Sequence, residues 1–141
     1  MTDLTGLPNL VPGDVLEPYS GALIIDYEAE AAVSKGDPVY LSSDGKVSPA
    51  ASAQLCIGVA TKDAAVGQKC PVITRGRVKV KAGGATTRGH GVYGADASKR
   101  ILDLADPDLG GTGTWAYARC FGYAEQSATA ADDLISILVV K

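Results

Sequence analysis

One histidine, His90, three cysteines, Cys56, Cys70 and Cys120, and a run of acids, Asp103, Asp106 and Asp108, are the side chains with which this chain could do chemistry. A Ser-His-Asp or Cys-His nucleophile must draw on His90, because no other imidazole is available. That residue stands in TTRGHGVYG between two glycines, a turn leading into a strand, where a histidine is ordinarily a surface residue. Cys56 and Cys120 fall among small residues of alternating segments, the place of buried and unreactive thiols. An odd number of cysteines without a CxxC pair offers neither a disulfide framework nor a tetrahedral zinc site. The three acids lack the spacing and the closing bidentate Glu of a calcium loop and read as a solvated turn. GGTGT and GHG lack the strand and helix context that would make either a phosphate cradle. The expectation is a protein that is no enzyme and needs no metal or cofactor.

The elements that would hold such residues are strands. Seventeen glycines and seven prolines, with few long helical periodicities, indicate short strands joined by turns in a chain of 141 residues, long enough for one domain with a real core. In IIDYEAEAAV, Ile25, Tyr27, Ala29, Ala31 and Val33 share one face while Asp26, Glu28 and Glu30 face water. A short helix over EAEAA is the rival reading. KGDPVYL supplies a turn and a strand start, with Pro38 where a missing ladder donor is tolerated, and SSDGKV is a hairpin signal. RGRVKVKAGG reads as a further alternating strand whose Arg75, Arg77, Lys79 and Lys81 form the wet face. DLADPDLGGTGTW is a long turn-rich connection, and DLISILVVK suits a strand covered on both faces.

A phrase occurs twice. LCIGVATKDAAVG from Leu55 is echoed by RCFGYAEQSATAA from Arg119, and GDPVYLSSDGKV from Gly36 by GHGVYGADASKRI from Gly89. Each half then runs into an apolar strand, PVIT or LISILVV. We read a degenerate internal similarity between 36–80 and 89–141, two β-units packed into one small barrel or sandwich, with chance agreement in an Ala- and Gly-rich chain as the alternative. Cys, Gly and Ala at alternate positions make a small face that lets another backbone approach closely. The opposite face of the second copy is aromatic: Trp115, Tyr117, Phe121 and Tyr123 either fill the core or form a subunit interface.

The first twenty residues differ in kind. Pro8, Pro12 and Pro18 interrupt any ladder or helix, so 1–20 reads as an extended N-terminal arm beside a single β-rich domain at 21–141. Its Leu4, Leu7, Leu10, Val11, Val15, Leu16 and Tyr19 are too apolar for an inert tail and should lie against something. A net charge of −3 argues against gripping nucleic acid. No basic, apolar leader opens the chain and no stretch is apolar enough to span a bilayer, which predicts a soluble protein made in a reducing cytoplasm and no membrane partner.

GDPVYLSSDGKVSPA followed by CIGVATKDAAVGQKCPVITRGRVKVKAGG resembles the small capsid decoration, or cement, proteins of tailed double-stranded DNA viruses. The matching positions are Gly36, Asp37 and Val39; then Gly58, Val59, Ala60, Ala64 or Ala65 and Gly67; then Val72, Ile73, Gly76, Val78 and Val80. The resemblance covers about Lys35 to Gly84, and reaches the second half only through the repeat. It implies a β-rich, trimeric virion protein on the exterior of the capsid, made in the host cytoplasm. Its partners would be the major capsid protein, gripped by the arm, and further copies of itself. It would brace the head against internal DNA pressure. The competing expectation is a virion or cell-surface module that binds glycan through Trp115 and Tyr117; a hydrolase built on His90 and a thiol comes third.

Overall fold

In a computed structural model of the protein, residues 10–16, 22–52, 54–94, 96–104 and 120–140 are described. Among them are nine strands and no helix: β1 (Leu23–Ala29), β2 (Pro38–Ser43), β3 (Lys46–Pro49), β4 (Cys56–Ala60), β5 (Lys69–Lys81), β6 (Gly91–Gly94), β7 (Ile101–Leu104), β8 (Gly122–Ala124) and β9 (Leu134–Val140). They are bonded in the order β1-β3-β2-β4-β5-β9-β8-β6-β7, and β1 also pairs with β5, so the first five close into a barrel that carries the remaining strands.

Local sequence explains the elements. Asp44-Gly45 turns β2 into β3, with Gly45 at φ 71°, as an Asp-Gly hairpin requires. Pro38 opens β2, where its missing N–H costs no ladder bond. IIDYEA forms a strand rather than a helix because Ile24 and Ile25, stiff at χ1, pair with Ile73 and Val72. Its expected inward face is buried only at the Ala29 end, since β3 covers β1 at Glu28 and Ala29 alone and leaves Ile25 exposed. PVIT and RGRVKVK are one continuous strand, β5, and not two. Gly76, at φ 127°, marks the point where β5 passes from its partners β1 and β4 to β9. β9 lies between β5 and β8, with Ile135, Ile137 and Val139 buried.

Two units use one scheme. β1 runs parallel to β3 through Ala29 and Val47, and the end of β5 runs parallel to β7 through Ala82 and Ile101. Val33 and Ala64 exchange two backbone bonds, as do Thr86 and Ala128. Gly36 donates to Ala60 O while Ala60 donates to Asp37 O; Gly89, Ala124 and His90 repeat the triangle. The second half of β5 thus plays the part of β1, and β6 to β9 those of β2, β3, β4 and the first half of β5. The buried apolar residues fall into two clusters. Val39, Val47, Ala60 and Val72 belong to the first, whereas Val59 and Ile73, one step along the same strands, join Val78, Val92, Phe121 and Ile137 in the second. β4 and β5 therefore carry buried residues on both faces, one row in each cluster.

Where the copies differ, strain enters. Among the described residues, the two non-glycine residues with left-handed backbone are Lys99 (φ 60°) and Asp132 (φ 69°). Lys99 precedes the second parallel pair as Gly45 precedes the first. Asp132 donates to Ala82 O as Gly67 (φ 84°) donates to Ala29 O. An L side chain held there costs about 1 kcal/mol that glycine does not. Lys99→Gly and Asp132→Gly are expected to raise stability by about 0.5–1 kcal/mol each, and Gly45→Ala and Gly67→Ala to lower it by about 1 kcal/mol, in urea unfolding. A destabilised Lys99→Gly chain would show that the side chain serves the fold more than the strain harms it.

Candidate functional site

The arm residues divide. Leu4, Leu7 and Tyr19 lie outside the described residues, while Val15 and Leu16 lie along β5 and Leu10 and Val11 lead into them. Gly13 donates to Lys79 O at 2.7 Å, Lys79 to Asp14 O at 3.0 Å, and Leu16 to Arg77 O at 3.0 Å, with Val15 bridged to Val78 and packed on the core. The second half of β5 pairs with β9 on one side only, and this short segment occupies its other edge. An arm free over the whole of 1–20 therefore does not fit residues 10–16; Val11, 46% exposed, is the outward apolar side chain of that stretch. The sequence signal was Pro12-Gly13-Asp14, a turn ahead of two strand-forming apolar residues. Asp14 closes that turn by accepting from Val11 N at 2.9 Å and meets Lys35 Nζ at 2.5 Å. Burial pushes its carboxyl up, but the Lys35 and Val11 bonds outweigh this and hold it below the usual range.

The same segment alters the expected wet face of β5. Arg75 and Lys81 are exposed and Arg77 is half-buried against Glu125 Oε1 at 3.0 Å, but Lys79 is only 3% exposed. Its Nζ donates to Gln126 Oε1 at 2.9 Å, so the buried ammonium keeps a polar partner.

The aromatic face also divides. Trp115 and Tyr117, and with them the glycan reading, lie outside the described residues. Phe121 is fully buried and cannot present itself to another subunit, whereas Tyr123 is 48% exposed. The strict alternation fails because β8 begins only at Gly122. Tyr123 sits in an outward row with Leu138 of β9 and, through Gly91, Leu104 of β7; Val140 is exposed beyond Leu138 on β9.

His90 Nδ1 lies 3.1 and 3.2 Å from the two carboxylate oxygens of Asp103. Asp103 is on β7 rather than in an acidic turn, and Asp106 and Asp108 lie outside the described residues. Cys56 and Cys70 are buried; burial, then Asp37 and Asp26, push the Cys70 thiol up and away from reactivity. Cys120 Sγ donates to Gly122 O at 3.2 Å. Among the described residues no group of His, Cys, Asp and Glu is placed to hold a metal ion.

Gly36, Asp37 and Val39 show what the shared positions do. Gly36 takes φ 94°, and a Cβ there would stand 2.4 Å from Pro12 Cβ. Asp37 accepts from Ser34 N at 3.0 Å and returns a backbone bond to Ser34 O. Its carboxyl is raised by burial, against the Ser34 bond and Lys99, whose Nζ is 3.8 Å away. Val39 is buried in the first cluster. These are positions that specify the fold, which is why a short resemblance could identify it.

The chain is similar in structure to the head fiber gp8.5 N base of bacteriophage phi29, with a TM-score of 0.56 and 19% sequence identity, over 84% of this chain and 94% of that one. No curated protein sequence matches it. The family model for phage cement protein matches residues 19–140. With a match over nearly the whole β domain, on a fold shared with a phage head protein, the chain belongs to the phage cement protein family and is a virion structural protein.

Proposed function

We propose that the protein binds the outer surface of a phage head shell as a homotrimer and stabilises it against the pressure of packaged DNA, with the major capsid protein as its partner. The match to the phage cement family over 19–140 carries this reading. Synthesis in the host cytoplasm and assembly on the capsid exterior follow from it. The attachment arm is residues 1–9, whose Leu4 and Leu7 supply apolar anchors, because the chain is engaged by β5 from Gly13 to Leu16. Three arms on a lattice bind far more strongly than one, since the second and third attachments are intramolecular. Tyr123, with Leu138 and Val140 nearby, is an apolar surface suited to a subunit contact.

Deletion of residues 2–9 is expected to leave the melting temperature unchanged and to abolish co-sedimentation with undecorated shells. Deletion of 2–16 removes three backbone bonds and Val15 from the core, and should destabilise by about 3 kcal/mol. Undiminished shell binding by the 2–9 deletion would remove the arm from the proposal, and a monomer in native mass measurement would remove the trimer.

A further inference from the structure

A cleft of about 300 Å³ opens at the seam of the two units. Pro12 of the N-terminal segment, Lys35 and Asp37 of the first unit, Lys81 at the end of β5, and Ser98 and Lys99 of the turn between β6 and β7 line it. We propose that this cleft is a carboxylate-binding site, and that its occupant is an aspartate or glutamate side chain presented by the shell protein. The occupant's source rests on the function proposed above; the site itself rests on its own charges and shape.

Three lysines meet in a protein of net charge −3. Lys35 is matched by Asp14, and Lys99 lies 3.8 Å from Asp37. Lys81 is exposed and has no acidic partner among the described residues. Asp63 accepts from the Lys35 backbone amide and does not line the cleft. Among the described residues one ammonium of the three is left without a counter-charge, which suits one carboxylate and not a polyanion. Ser98 adds a hydroxyl donor, and the volume, at the small end for ligand pockets, fits a side chain rather than a large molecule.

Lys99 is the independent pointer. The fold asks for a glycine at that spot, and the first unit has one, Gly45; the second unit keeps a strained lysine on the cleft wall. Strain retained beside a concave, charged surface is a common mark of a binding site. Glycine there would relieve the backbone and remove a charge from the cleft.

A capped tripeptide Gly-Glu-Gly, its Gly-Gln-Gly counterpart and acetate, each titrated into the full chain and followed by amide chemical shifts, test the site. The Glu peptide should bind and shift amides around Lys35, Lys81 and Ser98, with the Gln peptide at least fivefold weaker. Lys81→Gln and Lys99→Gly should each weaken the Glu peptide about fivefold, and Asp37→Asn, which keeps an acceptor for Ser34 N but loses its charge, should strengthen it. Equal binding of the Glu and Gln peptides, or an unaffected Lys81→Gln chain that melts as the parent does, overturns the site. Acetate binding as tightly as the peptide replaces the protein side chain by a small free acid. Loss of peptide binding in Lys81→Gln with shell decoration intact takes the shell away as the source. Peptide binding by a chain that decorates no shell leaves the site standing while the proposed function fails.

Discussion

Alanine at Gly58 is expected to cost at least about 3 kcal/mol and to lower the melting temperature by roughly 10 °C or more. A Cβ built there stands 2.0 Å from Ile73 O and 2.9 Å from Ile73 C, so the obstacle is the backbone of β5 and not a side chain that can swing aside. β4 and β5 must separate, or the Val59–Ile73 pair must break, and either breach opens both clusters because Val72 and Ile73 face different ones. The loss is large against the 5–15 kcal/mol of a typical domain. Gly122 is the equivalent residue of the second unit: its Cβ would stand 2.5 Å from Leu138 O, and Gly122→Ala should be harmful to a lesser degree. Gly84→Ala is the control, since a Cβ there meets nothing within 4 Å. Melts of the three variants decide the matter, and a Gly58→Ala chain within a degree or two of the parent would remove close strand approach as the reason for the glycine.

That glycine also shows what the sequence could carry. The phrase Cys-x-Gly-x-Ala occurs twice, and a small face inviting another backbone is a local property that can be read from side-chain size alone. The hairpin at Asp44-Gly45 and the central, apolar β9 were legible for the same reason: each is written in adjacent residues. What escaped depends on distant partners. Nothing in RGRVKVK says that Lys79 will be covered, because the segment that covers it lies more than sixty residues earlier, at Gly13 and Asp14. Nor does the period of IIDYEA disclose that β3 reaches β1 only at its last two residues and leaves Ile24 and Ile25 exposed. The site was harder still. Lys35, Lys81 and Lys99 are scattered through the chain, and only closure of the two units brings them to one cleft. The family, in contrast, could be read early, because its signature positions are turn glycines and core valines that any chain with this fold must supply.

Phe121→Ala is expected to cost about 3–5 kcal/mol, and Tyr123→Ala, two residues on, less than about 1 kcal/mol. The contrast follows from burial, since Phe121 is 0% exposed in the larger cluster and Tyr123 is 48% exposed. Phe121 is also held by its backbone: its N–H donates to Val92 O at 3.1 Å and its carbonyl accepts from Val140 N at 3.1 Å. Those bonds fix the ring among strands β5, β6 and β9, so the surroundings cannot collapse to fill the void that alanine would leave. Tyr123 buries little to begin with, so its loss should be felt in association and not in folding. Urea unfolding of the two variants measures the first effect, and native mass measurement of Tyr123→Ala the second. On the proposed trimer, a stable Tyr123→Ala chain that still assembles would move the proposed subunit contact away from the Tyr123–Leu138 row. A Phe121→Ala chain as stable as its parent would place the ring outside the core.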